Sequence, residues 1–275
     1  MKLNRTQLLP DRPGIPPMAA LPEAETLDPA AILGSYRKGE HDLICVLGPT
    51  ASGKTRWAVE LCRKFNGIEG APVAEIISAD SRQVYRGMDI GTGKDLGEYG
   101  EIPYHLIDIA PAGYRYNIYQ YQRDFSKVWE EIRRRGCIPV MCGGSGLYIE
   151  AATRAYKFPK QDCEIIEPLP ESTYYIGTLV SREERVERID ARLDSRLEEG
   201  LVDEVRGLLA SGIEAEDLIY YGLEYKFVTQ HVLGLISEEE MKIMLANAIH
   251  QFAKRQMTWF RGMERDGITI HWVRP

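Results

Sequence analysis

Short, continuously apolar runs alternate along this chain with longer stretches of helical period. The runs 42–47, 74–79, 104–109, 138–142, 173–179 and 268–273 predict strands, and the stretches 54–66, 117–135 and 145–154 predict helices. That alternation implies βαβ crossovers and a parallel sheet with helices on both faces, in which ligands bind beyond the carboxyl ends of the strands. The second half is more helical. Ser181-Arg182-Glu183-Glu184 reads as a capping box opening a helix that ends at Gly200, and Leu201–Leu209 predicts a short helix ending near Gly212. Ser237-Glu238-Glu239-Glu240 is a second box, opening a long helix to about Met263. On that helix Asn247, His250, Lys254, Thr258 and Arg261 share one face, while Met241, Leu245, Ala248, Phe252 and Trp259 form the expected core stripe. Residues 1–38 are rich in Pro and Ala with little periodicity and read as a partly disordered extension, leaving 39–275 as the core.

Composition narrows the class. A chain of 275 residues, 44% apolar and 27% charged, suits one large α/β domain or a core with a modest appendage. No apolar stretch approaches the roughly 18 residues needed to span a bilayer. Met1–Pro17 holds four prolines and no apolar h-region, so it is not a secretory leader. Five cysteines, odd in number and without a C-x-x-C pair, predict reduced thiols in a cytoplasmic protein. A net charge of −7 argues against non-specific coating of nucleic acid but leaves room for one RNA in a local basic groove.

Gly48-Pro49-Thr50-Ala51-Ser52-Gly53-Lys54-Thr55 follows the first strand run and matches the P-loop pattern G-x-x-x-x-G-K-[ST]. Glycines let the backbone amides point inward at phosphate oxygens, Lys54 neutralises their charge, and the Thr55 hydroxyl can ligate Mg²⁺. Asp80, just past the second strand run, is placed either to hold Mg²⁺ through water or to act as general base, and Asp108 is a rival candidate for the metal role. Gly87–Lys94 is glycine-dense and suggests a closing loop. Gly143-Gly144-Ser145 is a further strand-to-helix junction whose amides and hydroxyl can face an anion.

The chain resembles the tRNA dimethylallyltransferase (tRNA isopentenyltransferase) family. The resemblance is carried by Gly48–Thr55, the segment from Asp80-Ser81-Arg82-Gln83-Val84-Tyr85 to Thr92, Tyr104–Asp108, Gly143–Tyr148, Glu199–Val205 and Ala253–Arg261, in the family's order. It implies transfer of a dimethylallyl group from dimethylallyl diphosphate to the exocyclic amine of the adenine beside the anticodon. The P-loop would then hold the diphosphate with Mg²⁺ on Thr55, helped by Arg255. Asp80 would be the general base, with Lys54 and Ser145 as further catalytic groups, and Asp80, Ser81, Arg82 and Gln83 would line the groove for the tRNA adenine. No membrane and no obligate protein partner is expected. The family's helical insertion that grips the anticodon stem has no counterpart, since residues 153–180 form only a short, proline-bearing segment. The shortened segment keeps an alternative open, prenyl transfer to a free adenine nucleotide. The P-loop alone also permits a small-molecule kinase.

Overall fold

The computed structural model describes residues 21–68, 70, 73–154 and 168–275. Its centre is a six-stranded, all-parallel sheet built from β1 (Leu43–Leu47), β2 (Ala74–Ser78), β4 (Tyr104–His105), β6 (Ile138–Gly143), β7 (Thr173–Thr178) and β8 (Ile270–Val273), in the order β4-β2-β6-β1-β7-β8. A small parallel pair, β3 (Tyr85–Arg86) and β5 (Ala110–Pro111), lies outside it. The helices are α1 (Pro29–Arg37), α2 (Lys54–Asn66), α3 (Ile118–Arg134), α4 (Gly146–Thr153), α5 (Arg182–Glu198), α6 (Leu201–Ala210), α7 (Ala215–Tyr221), α8 (Leu223–Val232) and α9 (Glu238–Arg265). The mixed α/β class and the flanked parallel sheet agree with the sequence reading.

Every residue of β1 is buried, because helices cover both faces. Leu43, Cys45 and Leu47 pack against Tyr121, Phe125 and Trp129 of α3 on one face. Ile44 and Val46 pack against Ala58, Val59 and Cys62 of α2 on the other. A third apolar cluster joins α5, α6, α8 and the first half of α9 to Val84, Tyr85 and Met88. The register pairs Leu47 with both Gly143 and Gly177, and Ser78 with Cys142, so the carboxyl ends of four neighbouring strands align at one edge.

Three expectations need correcting. Residues 29–37 are not disordered: Asp28 caps α1, whose Ile32 and Leu33 are buried beside α2, while residues 1–20 lie outside the described ones. The strand over 104–109 stops at His105, because Leu106 (φ 61°) and Asp108 (φ 57°) take the left-handed backbone that ends extended structure. The core stripe of α9 is Met241, Leu245, Ile249, Ala253, Gln256, Phe260 and Met263, a face rotated from the expected one. Trp259 instead stays 41% exposed and lies over Gly146, where a Cβ would meet its ring at 2.4 Å. Helices α7 and α8 have no counterpart in the sequence reading. Among the described residues, no helix is long and apolar enough to cross a membrane.

Candidate active site

The P-loop turns sharply between β1 and α2, with Ala51 (φ 60°) and Gly53 (φ 78°) both left-handed. Gly48 is a matter of space: a Cβ there would lie 2.1 Å from the Thr178 hydroxyl and 2.6 Å from that of Ser52. Ser52 is fully buried and hydrogen-bonds Thr178 at 2.6 Å, so its side chain tethers the loop to β7 and is out of reach of a ligand. The Thr50 N–H is also committed, donating to Gln256 Oε1 at 2.8 Å, while Gln256 Nε2 donates to Gly144 O at 2.9 Å. One buried amide from α9 therefore locks the P-loop to the glycine turn after β6. The first amides of α2, including those of Lys54 and Thr55, have no intrahelical acceptor and are available to an anion.

Lys54 feels Asp80 and Cys142 as electrostatic neighbours. Burial lowers its pKa, and the negative charge of Asp80 is the largest influence opposing that shift. The neighbouring Cys142 thiol is pushed up to about 12, by burial first, with Lys54 and a Thr55 hydroxyl contact pulling the other way. Lys54, Thr55 and Asp80 thus occupy one neighbourhood. Asp80 Oδ1 accepts the Arg82 N–H at 3.0 Å. Beside it the Ser145 hydroxyl accepts the Ser81 N–H at 3.0 Å and donates to Ser81 Oγ at 3.2 Å, fastening the head of α4 to the Asp80 turn. The Ser145 N–H is spent on Ala79 O at 3.2 Å, so this amide does not face an anion.

Gln83 accepts from the Ser78 hydroxyl at 3.3 Å and donates to Gly93 O at 3.1 Å, holding the 87–94 segment in place. Lys94 is buried, not mobile, and bonds Tyr85 O and Asp89 at 2.6 Å each. It also pairs with Asp108, which commits that carboxylate to the 87–94 segment. Arg82 pairs with buried Glu224 of α8, and Arg196 of α5 reaches the same carboxylate at 3.5 Å. Arg255 is exposed and stands 5.9 Å from the Phe252 ring, with Arg82 at 5.8 Å from that ring. It does not line the P-loop cleft.

That cleft, about 500 Å³, is lined by Lys54, Thr55, Gly93, Arg188 and Arg192 among others. Arg188, Arg192 and Arg196 recur every four residues on α5, which presents them to the P-loop and to Gly93. Glu184 pairs with Arg188 instead of closing the expected capping box, and Arg192 bonds Asp95 at 2.8 Å. The family resemblance puts a diphosphate-holding arginine at Arg255; the α5 arginines that border this cleft were not singled out in the sequence. The four-residue spacing of the arginines was the available signal.

Glu204 of α6 was also missed: it accepts the Asp89, Ile90 and Gly91 N–H groups at 2.7, 2.7 and 3.1 Å. His250 bonds Asp190 at 2.8 Å, a structural role. Cys45, Cys62, Cys137 and Cys142 are free thiols; Cys163 lies outside the described residues.

A metal has no all-protein cage here: among the described residues, no three His, Cys, Asp or Glu side chains converge. The donor set still fits Mg²⁺, which is commonly held by one or two protein oxygens, water and substrate phosphates. Thr55 supplies the hydroxyl, beside the amides that would hold the phosphates. Gln256→Ala is expected to weaken binding of inorganic diphosphate by about 1–3 kcal/mol, roughly 5- to 150-fold, because Thr50 N–H and Gly144 C=O lose their partner. Calorimetric titration of diphosphate reads this. Unchanged affinity would show that the loop holds its shape unaided.

A family profile described as IPP transferase matches residues 83–173 and 166–263, two stretches that meet in the connector between α4 and β7. Among curated relatives, tRNA dimethylallyltransferase 1 of Parabacteroides distasonis is 47% identical over 290 positions, covering 85% of this chain and 92% of that protein. tRNA dimethylallyltransferase 2 of Bacteroides fragilis is 45% identical, covering 85% and 93%. The first alignment is longer than this whole chain of 275 residues, so that relative carries residues without a counterpart here. Among solved structures, the tRNA isopentenylpyrophosphate transferase of Bacillus halodurans superposes with a TM-score of 0.73 at 28% identity, covering 84% of this chain and 89% of that one. With its P-loop, Asp80 turn and α9 segment assembled at one strand edge, the chain belongs to the tRNA dimethylallyltransferase (IPP transferase) family.

Proposed function

We propose that this protein transfers the dimethylallyl group of dimethylallyl diphosphate to the exocyclic amine of an adenine beside the anticodon of tRNA. The observation that carries the reading is the meeting of Asp80 and the Ser81–Ser145 pair with Lys54 at one edge of the sheet. The nitrogen of the adenine amine bonds to the first carbon of the allyl group as the carbon–oxygen bond to diphosphate breaks. Asp80 takes the proton released from the amine. Negative charge grows on the departing diphosphate, and the cleft lined by Lys54, Thr55, Arg188 and Arg192 supports the reading that these groups stabilise it. Bound Mg²⁺ would add charge neutralisation there through Thr55. Arg82 and Gln83 shape the acceptor side mainly by fixing backbone, since their polar ends pair with Glu224, Ser78 and Gly93. A tRNA acceptor and four free thiols fit a cytoplasmic setting.

A second reading, prenylation of a free adenine nucleotide, is favoured by the short connector of residues 154–172 between α4 and β7. Labelled dimethylallyl diphosphate with Mg²⁺, unmodified tRNA and AMP in one reaction separates the two. Label in tRNA is the expected result. Label in AMP alone would move the acceptor to the free nucleotide, and, if neither is labelled, transfer of labelled γ-phosphate from ATP in a parallel reaction would return the site to kinase chemistry.

A further inference from the structure

Tyrosines cluster on the acceptor side of the site, and one of them is left bare. Tyr85 leaves the Asp80–Gln83 turn, and its ring lies 4.4 Å from that of Tyr221 at the end of α7. Tyr221 is fixed twice, since its hydroxyl accepts the Gly113 N–H at 2.8 Å and donates to Tyr114 O at 2.9 Å. The next ring, Tyr220, is 6.2 Å from Tyr221 and 61% exposed, although α7 is short and its Leu218 is buried. The Arg115 guanidinium sits 4.7 Å from the centre of the Tyr220 ring and is steered there by Asp217 at 3.0 Å. Tyr114, 44% exposed, borders the same place. Tyr148, on the helix headed by Ser145, is pushed above the usual tyrosine range by burial first, with Tyr85, Asp80 and Tyr220 as further neighbours that raise it.

We propose that Tyr220, backed by Arg115 and bordered by Tyr114, is the seat on which the unpaired RNA base next to the target adenine stacks. This rests on the RNA acceptor proposed above. An enzyme that works on one base of a loop must splay that base out, and its neighbour then loses a stacking partner. An exposed ring held against the Arg115 guanidinium offers a stacking face in that partner's place, and stacking of this kind tolerates any base. The guanidinium on the ring adds positive charge for the adjoining phosphate. The short 154–172 connector makes contacts on the core itself more necessary for holding an RNA. Continuity with the adenine groove identifies the occupant as RNA in preference to a protein segment.

The test uses an unmodified anticodon stem-loop RNA carrying 2-aminopurine beside the target adenine. With the unaltered protein and with Tyr220→Phe, binding should quench the 2-aminopurine fluorescence, and both should prenylate the RNA with equal KM. Tyr220→Ala should lose the quench and raise KM for RNA roughly 5- to 150-fold. Its KM for dimethylallyl diphosphate and its kcat at saturating RNA should stay unchanged, which a general folding defect would not permit. Prenylation by the unaltered protein together with an unchanged RNA KM in Tyr220→Ala would overturn the stacking seat alone. If the unaltered protein labels AMP and leaves the RNA untouched, the acceptor reading and the seat fall together.

Discussion

Asp80→Asn is expected to bind diphosphate as the unaltered protein does and to turn over about 10²–10⁴-fold more slowly, the usual contribution of a positioned base. Asparagine keeps the size of the side chain and an oxygen to accept the Arg82 N–H, so the turn after β2 should hold its shape. What disappears is the proton acceptor beside the incoming amine. The substitution has a second, electrostatic effect. Asp80 is the largest influence holding Lys54 protonated against its burial, so removing that charge lowers the Lys54 pKa further. Diphosphate binding needs the ammonium form, and it should therefore fade at a lower pH in Asp80→Asn than in the unaltered protein. Single-turnover rates with saturating dimethylallyl diphosphate, alongside diphosphate titrations across pH, separate the two effects. A rate within threefold of the unaltered protein would remove Asp80 from the proton transfer.

Glu224→Gln carries the largest expected loss of stability, about 3–5 kcal/mol, because it strips the counter-charge from buried guanidinium groups. Glu224 is 2% exposed and faces both Arg82 and Arg196. Burial, and then the nearby Arg192, already bring Arg196 down to about 10, with Glu224 the leading influence in the other direction. For Arg82, burial is outweighed by Glu224 and Asp80 together, which hold it above its ordinary range. Glutamine fits the same space but removes the leading counter-charge of both cations. A loss of this size is a large part of the 5–15 kcal/mol that keeps a typical domain folded. Chemical denaturation of Glu224→Gln reads it directly. A midpoint shift worth less than about 1 kcal/mol would mean that water or a rearranged carboxylate compensates the charges.

The parts of the site that are contiguous in the chain are legible in the sequence itself. A glycine-lysine loop after an apolar run, an aspartate just past the next run and a Gly-Gly-Ser junction each carry their mechanism in local sequence. Partners that depend on tertiary packing are not legible. Gln256 lies within a segment that stands out in the sequence, yet nothing local says that its amide reaches both Thr50 and Gly144. The same holds for Glu204, whose three amide partners lie more than a hundred residues away. The expected core stripe of α9 holds for Met241 and Leu245 and departs at Ala248, Phe252 and Trp259. Phe252 is instead flanked by Arg82 and Arg255, and Trp259 covers a glycine at the surface. Strand 104–109 fails for a backbone reason: the apolar run is real, but Leu106 and Asp108 turn left-handed, and Asp108 pairs with Lys94.

Helix α9 has one further consequence. Its first half supplies Met241, Leu245, Ile249 and Ala253 to the helical cluster, and its last turns give Phe260 and Met263 to the sheet core. Neither half of the molecule keeps a complete interior without it, so the two lack the independence of separate folding units. Amide protons of β1 and of α5 should therefore exchange with solvent through the same rare global opening, at similar free energies, in place of a graded sequence of local ones.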